Sequence, residues 1–284
     1  MTASARRDAN DPERFFRDNM EGRPYCGVGI GQGLKVRCSL FMILRCGRLL
    51  AALQVSRQTW RVKFEGIRAV TFDVGGTLIN PWPSVGQIYS DVAAEFGIEA
   101  LPDFINMGFK EAWKSRHNFD YSQEGWFEIV RASFREQGEI LPEEYFPRVY
   151  ERFAKADAWI VFGDVLRTLD ELAARELKLA VISNWDDRLI PLLSELGLRS
   201  RFEEVFVSCN VGFTKPSTVI FEQAVRWLKV PANEVLHVGD SQVEDYEGAR
   251  EFGMNSVLVA RGRRTFADHE IPSLSALPDA ITGS

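Results

Sequence analysis

A doubly wound parallel α/β sheet with an inserted helical domain is the fold that this 284-residue sequence predicts, and three observations predict it. An apolar run over 67–72 ends in Asp73 and passes at once into Gly75, Gly76 and Thr77, the pattern of a buried strand that delivers a carboxylate into a tight loop. From residue 164 onward single helical segments alternate with short apolar runs, which implies parallel strands joined by right-handed crossovers. Between the two lie about eighty residues whose apolar positions recur at helical spacing.

In chain order, residues 1–64 read as a basic extension without a specified fold. Residues 1–63 hold twelve Lys or Arg against five Asp or Glu, and the remainder holds 22 against 35. The acidic body argues against nucleic acid as a partner. The glycine cluster at 27–33 has no strand before it and no Gly-Lys-Ser/Thr after it, so it reads as a linker rather than a nucleotide loop. A short amphipathic helix over 40–53 stays open as a reading. Arg45 and Arg48 interrupt that apolar run well short of the ~20 residues that a membrane span requires. Cys26, Cys38 and Cys46 lack Cys-x-x-Cys or His spacing, so a reduced, cytoplasmic setting is expected. Asp8, Asp11, Glu13, Asp18 and Glu21 argue against an organelle transit peptide, a class poor in acids.

After the Asp73 loop, Pro81 and Pro83 are expected to take the chain out of the sheet. Val85, Ile88, Tyr89, Val92 and Phe96 then mark a helix over 84–96 that Gly97 ends. Helices over 104–113, 126–134 and 143–153 follow, rich in aromatics, and the whole stretch 81–161 reads as a separate helical cap. A helix over 165–177, with Leu166, Leu169, Leu172 and Ala173 facing inward, returns the chain to the core. Strands are expected over 177–182, ending at Ser183 and Asn184, over 202–207, over 235–238, ending at Gly239 and Asp240, and over 256–259. Helices over 187–196, 216–228 and 242–252 separate them. The core is thus assembled from residues 65–80 and 162–284.

Parallel strands carry all their C-terminal ends to one edge, so Asp73, Ser183 with Asn184, and Asp240 converge there, joined by Lys215 on the loop before a helix. The four segments 72–78, 181–184, Lys215-Pro216, and 238–241 with Asp245 resemble, in order and spacing, the haloacid dehalogenase-like hydrolase superfamily, over roughly residues 66–275 and in the branch with a small helical cap. The resemblance implies the following roles. Asp73 is the nucleophile, Asp240 holds Mg²⁺ together with Asp73 and the backbone carbonyl of Gly75, and Asp245 supports that metal site. Thr77 and Ser183 act in catalysis beside Lys215, which offsets charge on the phosphoryl group and the nucleophile, and Gly76 and Asn184 bind substrate.

Gly75 departs from the pattern. Phosphatases of this superfamily usually carry a second Asp there, as acid and base, and glycine does neither. Asp186, Asp187 and Glu124 are candidate substitutes. The expected protein is a slow Mg²⁺-dependent phosphatase that acts on a small phosphorylated metabolite through an aspartyl-phosphate. The alternatives are a non-catalytic binder of a phosphometabolite or partner protein, and a 2-haloacid dehalogenase. Arg116 reads as part of a solvated helix face and His237 as a core residue. His117 and His269 make no metal site. Trp82, Trp113, Trp126 and Trp185 either pack or line a cavity. Nothing in the sequence marks an oligomeric state.

Overall fold

The computed structural model describes residues 63–116, 119–262, 264–265 and 267–282. The glycine cluster and possible helix of the N-terminal extension, and His117, lie outside the described residues.

Strands β1 (Phe64–Glu65) and β2 (Ala69–Phe72) open the fold, and β3 (Ile79–Pro81) follows the Asp73 loop. Four helices come next: α1 (Val85–Glu95), α2 (Pro102–Ser115), α3 (Gln123–Ser133) and α4 (Tyr145–Arg152). Strand β4 (Trp159–Val161) leads to α5 (Val165–Ala173), β5 (Lys178–Ser183), α6 (Leu189–Glu195) and β6 (Glu204–Val207). Then come α7 (Ser208–Val211), α8 (Thr218–Leu228) and β7 (Val235–Gly239), a π-helical turn over Gln242–Glu247, α9 (Gly248–Phe252) and β8 (Asn255–Val259). Strand β9 (Glu270–Ile271), α10 (Leu277–Ala280) and β10 (Ile281–Thr282) close the chain, and β10 pairs with β1.

The central sheet runs β6-β5-β2-β7-β8-β9, parallel at every pairing. Its strands are buried at nearly every position, and most of those residues are apolar, because both faces are covered. Val70, Phe72, Val181 and Val238 bury one face against Leu169 and Leu172 of α5 and Leu192 of α6. Ala69, Ala180, Ile182 and Val235 turn to the other face, against Phe221 and Ala224 of α8. Strand β2 lies between β5 and β7, with Phe72 level with both Val181 and Val238, so the three polar strand ends are neighbours. This is the α/β core that the apolar runs predict.

Helices α1–α4 form a second cluster around Tyr89, Ile105, Phe134, Tyr145 and Phe146. Gly108 allows α2 to press on α3, since a Cβ there would collide with the carbonyl of Ser133. Ser84 caps α1 by accepting from Gln87 N, and Gly97, at φ 73°, follows its end.

The chain leaves the central sheet around the prolines, as expected, but a short strand outside that sheet runs into Pro81. Ile79–Pro81 pairs antiparallel with Trp159–Val161, so the strands before and after the helical insert run side by side. Pro81, the last residue of an edge pairing, costs no ladder bond that matters. The inward face of α5 is corrected: Leu166 is 45% exposed and Ala173 is exposed, while Val165, Thr168, Leu169 and Leu172 are buried. Thr168, a polar residue on the apolar stripe, hides that face from a count of leucines.

Candidate active site

Asp73 leaves the end of β2 with its N–H donated to Val238 O (2.9 Å), which ties the loop to β7. Its Oδ1 accepts from Ser183 Oγ at 2.9 Å and from Lys215 Nζ at 2.8 Å. The ammonium of Lys215 also donates to Asp245 Oδ1 at 2.5 Å and to Ile182 O at 3.0 Å, and its side chain is 1% exposed. Burial alone would lower the Lys215 pKa, but the Asp245 and Asp73 carboxylates outweigh it and hold the ammonium well above the usual lysine range. Asp245 is the counterpart: burial would raise its carboxyl, yet Lys215 and His237 hold it far below the usual range.

His237 is fully buried on β7, between Thr71 Oγ1 (2.9 Å, at Nδ1) and Asp245 Oδ1 (3.0 Å, at Nε2). Burial pushes its pKa down. An ionised Asp245 only accepts, so the neutral ring carries its proton on Nε2 and accepts a hydrogen bond from the Thr71 hydroxyl at Nδ1. His237 is therefore a support for Asp245, as its place inside a strand suggested. The wide turn over Gln242–Glu247 aims the Asp245 side chain inward, with Ser241 N donating to Asp245 Oδ2 (3.0 Å) and both Asp245 N and Tyr246 N donating to Ser241 O.

Asp73, Asp240 and Asp245 each present an oxygen within 4.8 Å of the others. Lys215 touches Asp73 and Asp245 but not Asp240. Loss of water around its carboxyl, although Asp240 keeps an exposed edge, and then the charges of Asp73 and Asp245 push the Asp240 carboxyl up to about 8; burial also raises Asp73, against the pull of Lys215. Three carboxyl groups stand together with the Lys215 ammonium on only two of them, a set of crowded hard oxygen donors that suits a Mg²⁺ ion. Gly76, at φ 74°, is required at the rim of this cluster, because a Cβ there would strike the Asp240 carboxylate. By this test the residues fit the metal that the resemblance implies.

A cavity of about 650 Å³ opens over these groups, lined by Asp73, Gly75, Gly76, Ser183, Asn184, Asp240 and Asp245 on the core side. Thr77 is not brought to it: the side chain is fully buried with no partner for Oγ1 among the described residues, and the Thr77 carbonyl is clamped by Arg261 Nε (3.0 Å) and Nη2 (2.6 Å). Asn184 borders the cavity, but its amide holds the Lys215 loop instead, donating to Lys215 O (2.9 Å) and accepting from Lys215 N (2.6 Å). The candidate acids stand elsewhere. Asp186 is buried in a two-point pair with Arg188 (2.8 and 2.6 Å), while Asp187 and Glu124 are exposed and off the cavity wall.

Two residues carry more than their sequence positions suggest. Glu244 lines the cavity and accepts from Arg116 Nη2 (3.0 Å), from Asn184 Nδ2 (3.2 Å) and from Tyr121 Oη (3.5 Å). Arg116 is therefore no part of a solvated face: it lies 3.7 Å from the Trp113 ring and joins the helical insert to the core. The signal for Glu244 is its place beside Asp245 on one turn; its partner stands 128 positions away, so the pair itself has no local signal. Of the four tryptophans, Trp113, Trp126 and Trp185 border the cavity and Trp82 does not.

The family model for haloacid dehalogenase-like hydrolases matches residues 67–253. The chain belongs to this family. It is 33% identical over 235 residues to haloacid dehalogenase-like hydrolase domain-containing protein 3 of Homo sapiens, covering 76% of this chain and 94% of that one. It is also 33% identical to the protein of that name from Danio rerio, over 75% of this chain and 95% of the relative. Among solved structures, a haloacid dehalogenase-family phosphatase from Thermococcus onnurineus aligns with a TM-score of 0.56 and 27% identity over 74% of this chain and 96% of its own. The L-2-haloacid dehalogenase of Xanthobacter autotrophicus aligns with a TM-score of 0.60 at 22% identity, over 75% of this chain and 97% of its own, a likeness of fold. The haloacid dehalogenase-like core thus follows as a hydrolase scaffold with a mostly parallel sheet. No helix among the described residues is long and apolar enough to cross a membrane.

Proposed function

We propose that this hydrolase cleaves phosphate monoesters, with Asp73 as the nucleophile. One observation carries the reading. Ser183 and Lys215 both donate to Asp73 Oδ1, and no hydrogen bond reaches Oδ2 among the described residues, on a side chain that borders the cavity. Oδ2 is thus the atom free to attack phosphorus. The new Oδ2–P bond forms as the P–O bond to the alcohol breaks, and water then hydrolyses the aspartyl-phosphate. Ser183 and Lys215 fix the carboxylate throughout and oppose the charge that gathers around the phosphoryl group.

Mg²⁺ held by Asp73 and Asp240, with the Gly75 carbonyl and with Asp245 in support, would offset the repulsion between the carboxylates and the phosphate dianion. Chelation is expected to remove turnover. A second readout does not depend on activity: added Mg²⁺ should raise the melting temperature progressively, as any ligand of the native state does, and Asp240→Asn should abolish that rise. A melting temperature indifferent to Mg²⁺ in the wild-type protein would remove the metal from the proposal. Displacement of halide by Asp73 would leave Asp240 without a task, which favours the phosphatase reading over the dehalogenase one.

With glycine at 75, no carboxyl group protonates the leaving oxygen from that position, so esters of acidic alcohols should be hydrolysed best. Trp185 occupies the adjoining space: a Cβ on Gly75 would meet its Cζ3 at 3.2 Å. The backbone at 75 is open to other residues, so Gly75→Asp needs only a small shift of that ring. It is expected to speed hydrolysis of an alkyl phosphate by roughly tenfold or more, at the low end of general acid catalysis because the indole must move. p-Nitrophenyl phosphate, whose leaving group needs little protonation, should gain much less. Equal gains for both esters would mean that the acid is not what is missing.

A further inference from the structure

The cavity above Asp73 exceeds what a phosphoryl group on a two- or three-carbon body fills. Its volume of about 650 Å³ lies inside the range of roughly 300–1,000 Å³ typical of sites for drug-sized molecules. Aromatic rings make up much of the wall: Phe109, Trp113 and Trp126 from the insert, and Trp159 and Trp185 from the strand that ends it and the core. Trp113 stacks on Trp126 at 5.6 Å between centroids, and Trp159 meets Trp185 at 5.2 Å, so these rings hold one another in place and present fixed surfaces.

Several polar side chains of the wall are engaged within the protein, while the Lys110 ammonium at the exposed edge of the wall pairs with no group among the described residues. Arg116 is spent on Glu244 and on Trp113 O (2.6 Å), and Arg188 on Asp186 and on Tyr150 O (2.7 Å). Asn106 accepts from Gly86 N and donates to Ser84 Oγ. Two buried polar side-chain atoms lack a partner among the described residues, and one of them, Trp126 Nε1, belongs to a residue of this wall. A sugar or polyol brings many hydroxyl groups that would lose water here and find few free partners, whereas a flat apolar group loses only contact with water.

We infer that the substrate of this site is a phosphate monoester with a flat apolar body, of the aryl or arylalkyl class, and not a sugar phosphate. This rests on the phosphatase reading above and sharpens it. The phosphate sits at Asp73, Ser183 and Lys215, and the body lies among the rings between insert and core.

The test compares 2-phenylethyl phosphate with glucose 6-phosphate on the purified full chain with Mg²⁺. Both release a primary alcohol, so a difference in kcat/KM reports the body of the substrate and not its leaving group. Burial of a phenyl ring predicts an advantage of at least about tenfold for 2-phenylethyl phosphate. Equal kcat/KM, or preference for glucose 6-phosphate, overturns the inference while p-nitrophenyl phosphate hydrolysis dependent on Asp73 keeps the phosphatase reading. Should p-nitrophenyl phosphate itself not be turned over, the phosphatase reading fails, and calorimetric binding of the same two esters decides the cavity separately. At least about tenfold tighter binding of the phenylethyl ester would support it, and equal binding would overturn it.

Discussion

Asp73→Asn is expected to lower turnover of p-nitrophenyl phosphate by about a thousandfold or more, as removal of a catalytic nucleophile does. The substitution is isosteric, and the Asn carbonyl can still accept from Ser183 and Lys215 where Oδ1 does now. What disappears is the charge at the oxygen proposed to attack. Packing should be unharmed, since asparagine keeps the shape of the side chain and the backbone bonds at the strand end are untouched. The native protein should in fact melt slightly higher, because one of three crowded carboxylates is gone and Lys215 keeps Asp245. A thermal melt beside the assay checks both halves. Turnover above one-tenth of wild type in a normally folded Asp73→Asn protein would sink Asp73 as the nucleophile. A large fall in melting temperature would instead make Asp73 a structural partner of Lys215.

The parts of this site visible in the sequence are those that depend on strand ends. Asp73, Ser183 and Asp240 each end or follow an apolar run, and parallel pairing alone brings them together once β2 lies between β5 and β7. Lys215 could be read as well, since a lysine at a helix start is poorly placed unless anions face it, and two do. The roles of Thr77 and Asn184 were less legible, because a motif says which residues gather and not which atoms face the cavity. Thr77 turns its carbonyl to Arg261, 184 positions on, and Asn184 spends its amide on the backbone of Lys215. The Arg116–Glu244 pair and the Trp185 ring against Gly75 depend on how the helical insert and the loops settle, a matter of packed surfaces rather than of periodicity. The short β3–β4 ribbon is hidden for a related reason: two three-residue strands, one ending in proline, leave no alternation to count.

Lys215→Met should produce the largest loss of stability of any single change at this site. Methionine fills a similar volume, so the effect isolates the charge. Lys215 is the cation in contact with both Asp73 and Asp245, and it also donates to Ile182 O. Without it, two buried carboxylates face each other, with Asp240 close by, and a buried carbonyl loses its donor. Breaking a buried ion pair from one side typically costs about 3–5 kcal/mol, because the remaining charge is left uncompensated. For a folded unit of this size each kcal/mol shifts the melting temperature by about 2–4 °C, so a fall of roughly 6–20 °C is expected. Arginine should not rescue it, since its wide planar fork does not fit a slot built for a point charge. The double variant Lys215→Met with Asp245→Asn should recover part of the loss, because removing one anion relieves the other, and the two changes should then be strongly non-additive. Additive losses, or a melting temperature for Lys215→Met within about 2 °C of wild type, would mean that the ammonium does not hold these carboxylates together. Lys215 would then be a catalytic cation only, and its burial against Asp73 and Asp245 would need another explanation.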